Sequence, residues 1–286
     1  MRISVLFLLL LSMVACSSIK EPAQPQARQD ADSMLSLAQG LAASSRSDEA
    51  RESFSYALQM FEKFAGIDGQ LSCLSGLCKL SLAEADIKGY QEIKAKMQDI
   101  TREIAPELDY HLLLLNIYEL QSKQDYAAIS ALSIAKTDYP LSVKIQLANA
   151  KLQADSYLKR GTSDAAKTLN KMALAYKKQL RKQATGNPEL VSSAWYALAY
   201  YYFSNGDYAL AINKLALVTD WDYRWGNNTG LGHAYWLQGQ VQRKLNQGDL
   251  ALASFRKAEI IFGAQNDSAA LKAVTNEIIR LKGDEP

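Results

Sequence analysis

The chain contains few of the residue types from which metal sites and disulfide networks are built. Its 286 residues include three cysteines and two histidines. His111 and His233 lie far apart in the sequence and form neither an HxH nor an HExxH spacing for a metal ion. Cys73 and Cys78 lie five residues apart on one predicted helix, where their side chains would point about 140° apart. We therefore expect two packing cysteines rather than a disulfide, and no metal site.

Motifs of catalysis and of cofactor binding are also missing. The sequence has no CxxC, no GxGxxG, no P-loop glycine–lysine pattern and no GxSxG. Its acidic residues are scattered in the manner of solvated helix faces, and no two of them stand out as a pair for acid–base chemistry. We predict that the chain is not an enzyme and uses no cofactor.

Charge of one sign is not in excess. Lysine and arginine number 32 against 30 aspartates and glutamates, a formal net charge of +2. Arg2 lies in the leader described below, and the rest of the chain carries 31 against 30. Proteins that hold nucleic acid through a strong basic field need a larger excess. We expect no nucleic-acid partner, whereas protein and small-molecule partners remain open.

The longest apolar run, residues 3–15, is too short to cross a bilayer as a helix. It follows Arg2 and ends in Met-Val-Ala before Cys16, which resembles the bacterial lipobox except that Met13 replaces the usual leucine. The resemblance implies cleavage before Cys16 and acyl chains on that residue, so that residues 1–15 are a signal peptide. Several chains at one cysteine make a stable anchor. The alternative is an ordinary secretory peptide followed by an incidental cysteine.

Residues 16–30 follow as the predicted anchor and tether. They are polar, contain Pro22 and Pro25, and are expected to be extended and mobile. Ser17 and Ser18 stand where inner-membrane lipoproteins of enteric-type bacteria carry aspartate, so the resemblance implies the periplasmic face of the outer membrane.

Beyond the tether, one spacing of residues occurs four times. A residue on one predicted helix is followed by a small residue 12 positions later, an apolar residue 16 later and another residue 19 later. The four sets are Ala38, Ala50, Phe54, Ala57; Asn116, Ala128, Leu132, Ala135; Ala199, Ala211, Leu215, Val218; and Gly239, Ala251, Phe255, Ala258. Small residues at these positions let two helices approach closely, and a pair of helices with two apolar faces needs neighbours to cover them.

The best example of this spacing is the stretch 192–223. There Trp195, Leu198 and Tyr202 form one apolar helix stripe, and an Asn-Gly-Asp turn leads to the helix that carries Ala211 and Leu215. This pattern resembles the tetratricopeptide (TPR) repeat, a helix-turn-helix unit. The fold class is therefore predicted to be all-α. The resemblance implies a right-handed superhelix of about six such repeats, with a concave groove lined mainly by the first helix of each unit.

The predicted units divide the chain into two groups. Residues 31–182 hold four helix pairs, at 31–65, 68–105, 109–141 and 143–182. Residues 192–283 hold two more, at 192–223 and 232–265, and a capping helix at 268–282. Three of the chain's six prolines fall between units, where a break in the helix is tolerated: Pro106, Pro140 and Pro188.

The aromatic residues indicate a binding surface. All four tryptophans lie within residues 195–236. Tyr196, Tyr200 and Phe203 form a second stripe beside the packing stripe, on the side that TPR geometry turns toward the groove. The predicted partner-binding groove consists of Tyr196, Tyr200, Phe203, His233, Trp236, Gln240, Arg243, Lys244, Tyr110, Leu113 and Ile117. The alternative is that a tightly wound superhelix buries these rings.

A second aromatic segment, residues 219–231, is predicted to be longer and more irregular than a usual turn between repeats. Its rings, Trp221, Tyr223 and Trp225, are unfavourable to leave in water. They are expected either to fold back over the groove or to form an interaction loop.

TPR domains generally bind peptides or partner helices and perform no chemistry. TPR lipoproteins, by the same resemblance, serve as pilotins for secretin rings, accessory subunits of outer-membrane assembly machines and partners of solute-uptake systems. We therefore expect a scaffold, adaptor or assembly factor with a protein or peptide partner in the bacterial envelope. The alternative is a carrier of a small ligand or solute in an aromatic pocket.

Overall fold

The computed structural model describes residues 25–133, 136–182 and 186–283. Those residues form thirteen α-helices and one short 3-10 helix at Pro106–Leu108. The α-helices are α1 (Gln26–Ala43), α2 (Ser47–Lys63), α3 (Ile67–Ala83), α4 (Ile87–Glu103), α5 (Tyr110–Ser122), α6 (Tyr126–Ala131), α7 (Leu141–Tyr157), α8 (Ser163–Leu180), α9 (Glu189–Ser204), α10 (Tyr208–Trp225), α11 (Asn228–Lys244), α12 (Gly248–Ala264) and α13 (Ser268–Gly283).

These helices form six antiparallel pairs and a final single helix, which confirms the predicted repeat fold. Each second helix packs against the first helix of the next pair. The first helices also pack against one another in sequence, α1 on α3, α3 on α5, α5 on α7, α7 on α9 and α9 on α11. The chain is therefore an all-α solenoid in which the first helices make a continuous layer.

The same short turn ends most of the helices. Between α9 and α10, Gly206 adopts a left-handed φ of +81°, and the amide of Asp207 donates back to the carbonyl of Tyr202 at 2.9 Å. Between α11 and α12, Asn246 adopts φ +57° and the amide of Gln247 donates to Gln242. This is a helix C-terminus closed by one left-handed residue, and its recurrence gives the repeats a common geometry.

The central core lies around α9 and confirms the packing stripe. Trp195, Leu198 and Ala199 are buried on α9, and Ala211 and Leu215 are buried on α10. Ala199 and Ala211 belong to the same buried cluster as Trp195. Cys73 and Cys78 are both buried free thiols, as their spacing predicts, and burial raises the pKa of each thiol to about 12.

The segment 219–231 differs from the prediction of an irregular loop. α10 continues to Trp225, and only Gly226 and Asn227 separate it from α11. Trp221 folds inward and its Nε1 donates to the carbonyl of Pro188 at 2.9 Å. Trp225 remains 55% exposed. The helix can continue because the residues from Thr219 to Trp225 contain neither glycine nor proline.

The N-terminal boundary also differs. α1 begins at Gln26, so residues 26–30 are helical rather than part of an extended tether. Pro25 occupies the position before the first helical residue, where a missing amide hydrogen costs nothing. The signal peptide, Cys16 and the start of the tether lie outside the described residues. Among the helices that are described, none has the length and apolar character that a membrane crossing requires.

Candidate functional site

The predicted aromatic stripe on α9 lies between core and surface. Tyr196, Tyr200 and Phe203 are each half-buried and pack against the central core. Burial raises the pKa of Tyr196 and of Tyr200. The structure therefore combines the two alternatives, a groove surface and a buried core. One part of each ring packs against the core, and the rest lies at the surface of the solenoid.

On the next pair, His233 and Trp236 pack on the same ring of α12. The ring centroid of His233 lies 5.1 Å from that of Phe262, and the centroid of Trp236 lies 6.5 Å from it. Burial lowers the pKa of His233, and the carboxylate of Asp267 opposes this in part. His233 is therefore a neutral ring at neutral pH, and Trp236 is half-buried against the core around α12 and α13.

The predicted groove residues farther along α11 differ in exposure and in their contacts. Arg243 forms an ion pair with Glu277 of α13, at 2.7 Å. Gln240 is half-buried and Lys244 is exposed. The Arg243 charge is thus balanced within the chain, in a contact that holds the final helix to the solenoid.

The predicted groove residues on α5 also have different environments. The hydroxyl of Tyr110 donates to Asp68 at 2.7 Å, and its ring stacks on His111 at 4.6 Å. Ile117 is a core residue, not a groove residue, because it is buried in the cluster that joins α5, α6 and α7. Leu113 is half-buried against the same cluster. The prediction assigned Ile117 to the groove side of α5, whereas its side chain packs in the core.

A pocket of about 590 Å³ opens beside Tyr196 and His233. We call it the α9–α11 pocket. Its wall is formed by α9 (Glu189, Ser192, Ser193, Tyr196), by α10 (Val218, Asp222), and by the start of α11 (Asn227, Thr229, Gly230, His233). Ala43, at the end of α1, and Gln153 of α7 complete it. Four of these five helices are first helices of their pairs.

Asp222 is the buried polar residue of this wall, with 1% of its surface exposed. Its Oδ1 accepts a hydrogen bond of 3.0 Å from Nδ2 of Asn227. Its Oδ2 is buried and has no hydrogen-bond partner among the described residues. Burial raises the pKa of Asp222, and the neighbouring Ser192 and Asn227 side chains oppose that shift.

Gly230 is required beside this carboxylate. A Cβ at position 230 would lie 2.2 Å from Oδ2 of Asp222 and 2.4 Å from Nδ2 of Asn227. No pair of nonbonded atoms tolerates that distance, so any side chain at position 230 would displace Asp222. Neither residue was predicted from the sequence. A signal for Asp222 exists, because it extends the buried stripe of Leu215 and Val218 by one turn and so puts a carboxylate on an apolar helix face.

At each of the two helix starts in the pocket wall, one backbone amide is capped by a side chain. Oδ1 of Asn227 accepts from the amide of Gly230 at 3.0 Å, which caps α11. Oδ1 of Asn187 accepts from the amide of Glu189 at 2.8 Å, at the start of α9. Helix N-termini attract anions chiefly through such free amides. Here a side chain of the protein itself occupies one such amide on each helix.

A smaller pocket of about 330 Å³ lies between the starts of α1 and α3. Its wall includes Arg28, Asp32 and Asp68. The carboxylate of Asp68 is hydrogen-bonded to both Tyr110 and His111. Within the part of the chain that the structure describes, no three histidine, cysteine, aspartate or glutamate side chains come together as a metal site.

Comparison with known proteins gives a likeness of fold. No protein-family model matches the chain, and no curated protein matches it. Among solved structures, the chain is similar to PlcR of Bacillus thuringiensis, which was crystallised in complex with the peptide PapR7 and DNA. The TM-score is 0.50 at 14% sequence identity, and the match covers 89% of this chain and 77% of PlcR. At that identity the likeness shows the fold, an all-helical repeat solenoid.

Proposed function

We propose that the chain is a lipid-anchored scaffold that binds a protein or peptide partner in the α9–α11 pocket. The observation that carries this proposal is the pocket itself. It combines half-buried aromatic rings, Tyr196 and His233, with polar groups such as Asp222 on one concave wall. Pockets that hold ligands commonly have this composition, and a volume of about 590 Å³ lies in their usual range.

Two further facts support a peptide as the occupant. PlcR, which shares the fold, was crystallised with a peptide. The pocket wall also combines serine and asparagine side chains with the rings of Tyr196 and His233, which suits the alternating polar and apolar groups of an extended chain. Such a partner would be part of an envelope complex, for which this chain would act as adaptor or assembly factor. The nearly balanced charge of the chain supports protein rather than nucleic acid as the partner.

The proposed location is the periplasmic face of the outer membrane. Its support lies in the sequence of residues 1–18, where an apolar segment ends in Met-Val-Ala-Cys and two serines follow. The solenoid would then face the periplasm, attached through acyl chains on Cys16.

A pair of matched variants tests the pocket. Ala43 and Ala83 are the last residues of α1 and α3, both are exposed, and only Ala43 lines the pocket. Ala43→Trp should fill the pocket from its open side, whereas Ala83→Trp adds the same ring elsewhere. After crosslinking in the native envelope, we expect Ala43→Trp to lose the partners that the unaltered chain and Ala83→Trp retain. Equal capture by both variants, with unchanged thermal unfolding, would refute the proposal.

The pocket volume also favours a second candidate, a carrier of a small ligand. A volume of about 590 Å³ accommodates a compact organic molecule as well as a few peptide residues. In that case Ala43→Trp leaves the crosslinked partners unchanged. Instead it removes a small molecule that native mass spectrometry detects on the unaltered chain.

A further inference from the structure

The charged groups of the α9–α11 pocket have one sign. Its wall contains the carboxylates of Asp222 and Glu189 and no lysine or arginine. His233 is the remaining titratable nitrogen, and burial lowers its pKa so that it carries no charge at neutral pH. An anionic group in the pocket would therefore meet two like charges and no cation.

The N-termini of α9 and α11 do not make the pocket more favourable for an anion. Asn227 and Asn187 already accept hydrogen bonds from the first amides of α11 and α9. The dipoles of these helices stabilise negative charge, and Asp222 lies against the start of α11 and supplies that charge. A ligand carboxylate would find no lysine or arginine in the pocket wall.

Behind the pocket wall lies one acceptor without a donor. Oδ2 of the buried Asp222 has neither a donor from the described residues nor contact with solvent, although a buried carboxylate oxygen normally has a partner. Leaving such an atom without a hydrogen-bond donor destabilises the folded chain. A ligand donor that reaches Oδ2 recovers this energy.

The geometry of the carboxylate also restricts the donor. Oδ1 is occupied by Asn227, so only one oxygen of Asp222 is free. The planar fork of a guanidinium group binds best to two free oxygens at once. A compact ammonium group places one N–H on Oδ2 and keeps its other donors for neighbouring hydroxyls, such as that of Ser192.

We propose that the α9–α11 pocket recognises a primary ammonium group of its peptide partner, through Asp222 at the centre and Glu189 at the edge. This inference rests on the proposed function, because it names the chemistry that the same pocket selects. Since Oδ2 is shielded from solvent in the free chain, binding includes a small local shift of Asp222 or of the Gly230 backbone. The ammonium group comes either from the N-terminus of a peptide or from a lysine side chain.

Four short peptides test the proposal by calorimetric titration of the purified full chain at neutral pH. Trialanine amide carries a free N-terminal ammonium group, and its N-acetylated form is neutral. Acetyl-Ala-Lys-Ala amide carries the ammonium group on a side chain, and acetyl-trialanine with a free C-terminus carries a carboxylate. We expect one or both ammonium peptides to bind at least tenfold more tightly than the neutral and anionic ones. Preference for one ammonium peptide identifies the source of the group.

Two variants test whether Asp222 is the residue that binds the ammonium group. Asp222→Asn keeps the shape of the side chain and should weaken ammonium binding at least tenfold. Asp220→Asn, on an exposed residue of the same helix that pairs with Arg224, should leave it unchanged. If Asp222→Asn fails to fold, the exposed Glu189→Gln should still weaken binding severalfold.

Three results would overturn the proposal: no binding of any peptide, equal binding of the acetylated or anionic peptide, or unaltered binding by a folded Asp222→Asn chain. A loss of partner capture in Ala43→Trp without any ammonium preference would refute this inference alone and leave the proposed function standing.

Discussion

The ring of Phe255 on α12 lies directly against the backbone of Gly239 on α11. A Cβ at position 239 would approach the ring to 2.6 Å, and Phe255 is fully buried, so the ring has no space into which it could move. The two residues are 16 apart and belong to the spacing that defines the repeat. Their contact is the physical reason for that spacing, because a glycine on the first helix makes room for a large ring on the second.

Gly239→Ala should therefore destabilise the chain although alanine is the better helix former. Alanine gains about 0.8–1 kcal/mol of helix propensity, but overpacking of a filled core costs about 1–3 kcal/mol. We expect a net loss of up to about 2 kcal/mol in the free energy of unfolding, measured by denaturant titration. Gly40→Ala is the control, because nothing lies within 4 Å of a Cβ at position 40, and it should stabilise the chain slightly. Equal effects of the two substitutions would contradict the packing account.

Ala199 and Ala211 allow the same argument on the central pair. Both are fully buried, on α9 and α10 respectively. Replacing either with leucine adds three carbons to a filled core, and we expect a loss of about 1–3 kcal/mol. Ala216→Leu, at an exposed position of α10, should change the free energy by no more than about 0.5 kcal/mol. Thermal unfolding of the three variants checks this, and unaltered melting of both buried variants would show that the repeat register is wrong.

Glu119 links two neighbouring repeats and should make the stability depend on acid. Its carboxylate accepts hydrogen bonds from Lys123 at 2.7 Å, Tyr90 at 2.5 Å and Lys94 at 2.9 Å. These bonds lower the pKa of Glu119 from 4.5 to about 2. The stabilisation is therefore complete above about pH 4.5 and is lost as the pH falls toward 2.

Glu119→Gln should remove this dependence. We expect a loss of about 1–2 kcal/mol at neutral pH, below the full linkage value of about 3 kcal/mol, because solvent screens the exposed Lys123. Urea titrations at pH 7, 4 and 3 should converge for the variant and the unaltered chain. Glu92→Gln, in an exposed ion pair with Lys88, is the control and should have an effect below about 0.5 kcal/mol. A constant difference between Glu119→Gln and the unaltered chain across this range would refute the assignment.

The proposed anchor depends on the sulfur of Cys16. Cys16→Ser removes the atom that would carry the acyl chains, so we expect an uncleaved or soluble protein in place of an anchored one. Membrane fractionation after detergent-free washing at high salt measures this. A variant that stays with the outer membrane through that wash would show that something other than the lipid holds the chain.

The fold was predictable because its signals are local. The spacing from Ala199 to Ala211 and Leu215 predicts helix, turn and packing face together, and the observed pair α9–α10 follows it. The conformation of the segment around Trp221 was harder to predict from the sequence. Whether its rings pack or project depends on Pro188, which lies 33 residues away and accepts the indole hydrogen bond. A pattern within one segment does not contain that information.

The candidate site could be predicted only in part, for a related reason. Tyr196 and His233 were identified from helix periodicity, and both line the pocket. Periodicity alone does not separate residues at the edge of a buried stripe, which is why Ile117 was assigned to the groove although it is buried. Asp222 and Gly230 derive their roles from each other's position across a turn, and that relationship appears only once α10 and α11 are packed.

The most direct measurement is photo-crosslinking from inside the pocket in the native envelope. Thr229 is exposed and lines the pocket, so a benzophenone amino acid at position 229 would touch any occupant. The same amino acid in place of Tyr56, which is 53% exposed on α2 and away from the pocket, reports contacts of another face. We predict a discrete crosslinked product from position 229 that is absent from position 56 and is lost when Ala43→Trp is combined with it. A product from position 56 with none from position 229 would contradict the account.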